Sequence, residues 1–179
     1  TNLIPESRHL TNQILLNGSG MTAGDFDGDG RVDLFFCGFN NDNALFRNLG
    51  DWHFEDVASS SGVALPGTDC TGVAAADVDG DGDLDLVINT LGQGTLIFSN
   101  DGHARFSQLQ PPVNRVGGAM TSALADIDGD GDLDLYVANY RTRALMDMPS
   151  TRMTFKKVNQ RAVVETVNGR SVTDPEFQD

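Results

Sequence analysis

Apolar residues along this chain fall in short runs broken by clusters of Gly, Asp and Asn, and several runs are apolar at consecutive positions rather than alternating. Val32, Leu34 and Phe36 recur as Leu84, Leu86 and Ile88, and again as Leu133, Leu135 and Val137, with Phe35, Val87 and Tyr136 between them. Runs this short, rich in β-branched and aromatic residues and bounded by turn residues, predict strands. A strand that is apolar on both faces is expected to be buried on both faces. No stretch has the spacing of an amphipathic helix of any length.

The runs repeat. Asp25, Asp77 and Asp126 open equivalent segments 52 and 49 residues apart, and Phe54, Phe106 and Phe155 each lie 29 residues beyond. Each repeat reads as four strands. The first covers 19–24, 71–76 and 121–125, and is rich in Gly, Ala, Ser and Thr, which suits a crowded place. The second covers 32–37, 84–89 and 133–139. The third covers 44–48, 95–99 and 143–146, and the fourth 52–57, 104–109 and 153–158. Four short strands per repeat, apolar on both faces, point to small sheets stacked face to face, as the blades of a β-propeller are. The expected fold is all-β: a partial propeller of about three four-stranded blades. The parts are a strand of a neighbouring or closing blade within 1–17, repeats at 18–66, 67–117 and 118–158, and an extension at 159–179. In that extension Asn168-Gly169 between two apolar runs predicts a β-hairpin.

Between the first and second strands of every repeat stands one pattern, D-x-D-G-D-G-x-x-D. The carboxylates are Asp25, Asp27, Asp29 and Asp33; Asp77, Asp79, Asp81 and Asp85; and Asp126, Asp128, Asp130 and Asp134. Like charges this close repel unless neutralised. A hard divalent cation does that, and Ca²⁺, which takes roughly 6–8 oxygens in flexible geometry, suits the loop better than Mg²⁺. The glycines at positions 4 and 6 allow positive φ, so the backbone can curl around an ion. Position 7 is Arg31, Asp83 or Asp132, so its backbone carbonyl is the expected ligand, as in the EF-hand loop. The EF-hand itself is excluded: it needs Glu at position 12 and flanking helices, and position 12 here is Phe36, Ile88 or Val137. An acidic surface turn would account for one copy, but not readily for three in one register.

Composition sharpens this picture. The net charge is −14, and 26 residues are acidic; the acidity sits mostly in the three motifs rather than in a tail. It disfavours nucleic-acid binding. No apolar run is long enough to span a membrane. No signal peptide is present; an exported protein would begin here after cleavage. Cys37 and Cys70 leave two options open, a disulfide in an exported chain or two buried apolar side chains. Asn17-Gly18-Ser19 is a weak glycosylation signal.

The motif followed by Asp-Leu and apolar residues resembles the FG-GAP/VCBS repeats of integrin-α-like β-propellers over roughly residues 18–158. The run Leu45-Phe46-Arg47-Asn48 to Phe54-Glu55-Asp56-Val57 and the stretch Tyr136 to Arg141 are similar to the cartilage-acidic-protein-like ASPIC/UnbV branch. The resemblance implies about three Ca²⁺ ions on an exported protein, held by the aspartates named above with the carbonyls of Arg31, Asp83 and Asp132. Two features depart from the family pattern. Gly20-Met21, Gly72-Val73 and Gly118-Ala119 stand where an integrin-type repeat has Phe-Gly, and three blades are visible where family propellers usually have seven.

The expected function is a non-enzymatic, Ca²⁺-binding repeat module that engages other protein chains, further blades of a longer protein, or glycans, in a secreted, periplasmic or cell-surface setting. Millimolar Ca²⁺ outside the cytosol would fill even weak sites. The alternative is a structural subunit of a larger complex. An enzyme is the reading with least support: His9, His53 and His103 are dispersed, and no metalloprotease, serine-hydrolase or phosphate-loop motif occurs. No catalytic residue is assigned.

Overall fold

The computed structural model describes residues 19–109, 111–115, 118–140, 152–158, 161–171 and 173. The strand expected within 1–17, the strand expected over 143–146, Asn17, His9 and the end from 174 lie outside the described residues. All regular structure among the described residues is β.

The first repeat forms β1 (Met21–Gly24), β2 (Asp33–Phe36), β3 (Ala44–Gly50) and β4 (His53–Asp56). The second forms β5 (Cys70–Ala76), β6 (Asp85–Thr90), β7 (Thr95–Asn100) and β8 (Phe106–Gln108). Each set is a four-stranded antiparallel sheet in sequential order. The two registers are equivalent: Leu34 faces Ala23 and Phe46, and Leu86 faces Ala75 and Phe98. The third repeat contributes β9 (Gly118–Ala125) paired with β10 (Asp134–Tyr140).

The sheets stack through their first strands, with β1 beside β5 and β5 beside β9. The small residues there are a packing requirement. A Cβ on Gly20 would lie 2.7 Å from the Gly72 Cα, and one on Gly72 would lie 2.3 Å from the Met120 carbonyl oxygen. Gly72→Ala is therefore expected to cost about 1–3 kcal/mol by overpacking. A calorimetric melt checks this, and an unchanged melting temperature would contradict the close stacking of β5 on β9.

The core lies between the first two sheets. Phe26, Phe35, Cys37 and Leu45 from one side meet Leu86, Ile88, Phe98 and Phe106 from the other. Every residue of β6 is buried, as its sequence leads one to expect. The same expectation fails for β2 and β10. In β2 only alternate residues are buried, and Tyr136 in β10 is 67% exposed. Only the second sheet has a described neighbour on both faces. Met21, Val32, Leu34, Phe36 and Phe46 of the first sheet occupy the repeat positions that Val73, Leu84, Leu86, Ile88 and Phe98 bury in the second, and Met21 and Val32 are exposed.

β11 (Met153–Val158) corrects the sequence assignment of a fourth strand to the third repeat. It pairs with β12 (Arg161–Val167), not with β9 or β10. The partner strand begins three residues further along the chain, so the pairing closes at small entropic cost. Phe155 is accordingly 60% exposed, whereas its equivalent Phe106 is 8% exposed. The hairpin from β12 to β13 (Arg170–Ser171) forms as expected, with Asn168 and Gly169 both at positive φ, as a type I′ turn requires.

Of the two options for the cysteines, the structure takes the second: Cys37 and Cys70 are free thiols in the core. Burial pushes both above the ordinary thiol range, Cys70 to about 11.

Candidate metal centres

Each acidic loop joins the first strand of its repeat to the second, so the sheet fixes both of its ends. The glycines at positions 4 and 6 have φ of 73° and 84° in the first loop, 80° and 97° in the second, and 79° and 98° in the third. These are left-handed values that a residue with a Cβ adopts only with strain.

The three loops share a set of internal hydrogen bonds. The position-6 amide donates to the position-1 carboxylate: Gly30 to Asp25 at 2.8 Å, Gly82 to Asp77 at 3.0 Å, Gly131 to Asp126 at 3.1 Å. The position-7 amide donates to position 5 at 2.9 Å in all three, from Arg31 to Asp29, Asp83 to Asp81 and Asp132 to Asp130. The position-2 amide donates to position 9: Phe26 to Asp33 at 3.1 Å, Val78 to Asp85 at 2.7 Å, Ile127 to Asp134 at 2.9 Å.

These bonds turn carboxylates inward. Oxygens of Asp25, Asp27 and Asp29 lie within 4.8 Å of one another, as do those of Asp77, Asp79 and Asp85, and those of Asp126, Asp128 and Asp134. The donor set is all oxygen and anionic, which fits a hard cation such as Ca²⁺ rather than a softer metal. Asp81, Asp130 and Asp33 stand outside these triads but within the same hydrogen-bonded loops. Exposed acidic groups also cluster without an ion; the convergence here recurs three times on one backbone cage.

The ninth position differs from the others. Asp33 and Asp85 are buried, and Asp134 is exposed. Asp33 accepts Phe26 N–H and, at 2.8 Å, Asn48 N–H; Asp85 accepts Val78 N–H and, at 2.9 Å, Asn100 N–H. Burial raises both carboxyls above their ordinary value, while those backbone donors pull them down. A cation beside them would favour the ionised form.

Position 7 also separates the loops. The Arg31 guanidinium pairs with the Asp29 carboxylate, whereas Asp83 and Asp132 bring negative charge. Arg31→Gln is expected to tighten divalent-cation binding at the first loop about fivefold, since one exposed charge at contact distance is worth roughly 1 kcal/mol. Calorimetric titration checks this, and equal affinities in the two proteins would overturn it.

Three contributors were given no role at the sites from the sequence. Phe26, at the variable second position, is fully buried and meets Phe106 edge-on at 6.0 Å between ring centres. Asn48 and Asn100 hold their own loops through side-chain bonds, Asn48 Nδ2 to Val32 O at 3.0 Å and Asn100 Nδ2 to Leu84 O at 3.1 Å. The signal was present: both stand 23 residues after the first Asp of their motif. Asn100 Oδ1 is buried with no hydrogen-bond partner among the described residues; the donor side of this amide is what the position uses. His53 and His103 are exposed on β4 and in the β7–β8 turn.

A family model for the FG-GAP-like repeat matches residues 25–88 and 78–137, so the three loops all lie inside matched sequence. The chain is similar to cartilage acidic protein 1 of Homo sapiens, with 37% identity over 98 residues, 53% of this chain and 15% of that protein. The Mus musculus protein of the same name is 35% identical over 98 residues, and that of Xenopus tropicalis 34% over 95, each matched over 15% of its length. The match thus spans a small part of these relatives.

Proposed function

The chain belongs to the FG-GAP-like repeat family, and on that premise we propose that it is a non-enzymatic interaction module whose three loops each hold a Ca²⁺ ion. The observation that carries this reading is the threefold recurrence of converging carboxylates on one backbone cage. The first ion would be held by Asp25, Asp27, Asp29 and Asp33 with the carbonyl of Arg31. The second would be held by Asp77, Asp79, Asp81, Asp85 and Asp83 O, the third by Asp126, Asp128, Asp130, Asp134 and Asp132 O. A bound ion would neutralise the crowded carboxylates and fix the turn between two strands, bringing the net charge from −14 to about −8 by the charge of three such ions. Sites on surface loops are suited to millimolar Ca²⁺, which supports a secreted, periplasmic or cell-surface setting. No described helix is long and apolar enough to cross a membrane.

The stacked sheets support a propeller of which this chain supplies consecutive blades. Its partners would be further blades of the same type, other protein chains, or glycans bound on the loops. A second reading, a structural subunit of a larger assembly, is favoured by the half-covered apolar face of the first sheet and by exposed Ile127, Tyr136 and Tyr140 of the third repeat. Equilibrium dialysis against Ca²⁺ decides the metal reading. Three ions per chain, undisturbed by equimolar Mg²⁺, are expected, and none retained would overturn it. Light scattering of the Ca²⁺-loaded chain tests the self-assembling form of the second reading, which a monomer excludes.

A further inference from the structure

We propose that Asn100 couples the first two loops, so that they bind divalent cation cooperatively; this rests on the metal reading of those loops. A continuous hydrogen-bonded path joins the ninth carboxylate of one loop to that of the next. Asp33 Oδ2 accepts the Phe26 amide at 3.1 Å. The carbonyl of Phe26 accepts Asn100 Nδ2 at 2.8 Å. The Asn100 amide donates to Asp85 Oδ1 at 2.9 Å, and its Nδ2 also reaches Leu84 O at 3.1 Å. The path is reinforced by the Ala104 amide on the same Phe26 carbonyl at 2.8 Å.

The first loop is thus held from two sides, by its own strands and by the β7–β8 turn of the second sheet. Asn100 is 3% exposed, so these bonds do not compete freely with water. A cation in the second loop fixes Asp85 and the Leu84 peptide. That fixes Asn100 and, through it, the Phe26 peptide from which the first loop starts. The ordering cost of the first loop is then partly met before its own ion arrives, which is positive cooperativity by conformational restriction. The first repeat has Asn48 at the same position, bonded to its own loop. The third repeat has Pro149 at that sequence position, and a proline carries no side-chain amide to make the equivalent bond.

The test uses Ca²⁺ calorimetry on the chain with its third loop disabled by Asp126→Asn and Asp128→Asn. Disabling the second loop as well, by Asp77→Asn and Asp79→Asn, is expected to weaken the first by about fivefold or more, within the usual range of coupling between sites. Coupling is reciprocal, so Asp25→Asn with Asp27→Asn must weaken the second loop by the same factor. With Asn100→Ala, disabling either loop is expected to change the other by less than about twofold. If Asn100→Ala does not fold, Asn100→Asp, which removes the Nδ2 donor to Phe26 O at nearly the same shape, takes its place. Binding at the first loop that is indifferent to the second overturns the coupling and leaves the metal reading standing. No binding heat at any loop of the unaltered chain overturns both.

Discussion

Removing divalent cation is expected to lower the melting temperature by about 15–30 °C. Anything that binds the folded chain and not the unfolded one stabilises it by mass action. Three sites at a hundred times their dissociation constant would together contribute about 8 kcal/mol. For a chain of this size each kcal/mol corresponds to roughly 2–4 °C. The repulsion released on stripping the ions acts in the same direction, because each loop packs at least four aspartates into nine residues. The measurement is a pair of melts, one in millimolar Ca²⁺ and one in excess EGTA, with Mg²⁺ as comparison. Equal melting temperatures in Ca²⁺ and EGTA would mean that the loops are acidic turns closed by their own backbone bonds.

Phe26→Ala is expected to cost about 3–5 kcal/mol, as truncation of a fully buried Phe does. The ring is 0% exposed and packs edge-on against Phe106 across the two sheets. The equivalent change in the third loop, Ile127→Ala, should move stability by less than about 0.5 kcal/mol, because Ile127 is 74% exposed. Denaturant unfolding of the two variants in saturating Ca²⁺ reads the difference. Similar losses would contradict the packing, and a small loss for Phe26→Ala would mean that the inter-sheet core does not form around that ring.

The contrast between Phe26 and Ile127 marks the limit of what a repeat pattern reveals. Both are apolar residues at the second position of one motif, and nothing in the motif says which of them is buried. What separates them is the presence of a following sheet: the second covers Phe26, and no described sheet covers Ile127. Asn100 is a similar case. Its place in the repeat is visible in the chain, but its bond to Phe26 joins residues 74 apart and exists only because two sheets stack.

The elements themselves were legible. The first eight strands and the Asn168-Gly169 hairpin follow from apolar runs and turn residues, and the positive φ of the motif glycines follows from their spacing. These features depend on neighbours in sequence, which the chain states directly. Tertiary structure decided which strands are buried on both faces, that β11 pairs with β12 rather than completing the third repeat, that Cys37 and Cys70 are buried as free thiols, and that the first two acidic loops are joined through an amide. Each of these depends on which segment comes to lie against another, and residues far apart in the chain meet only when the sheets pack.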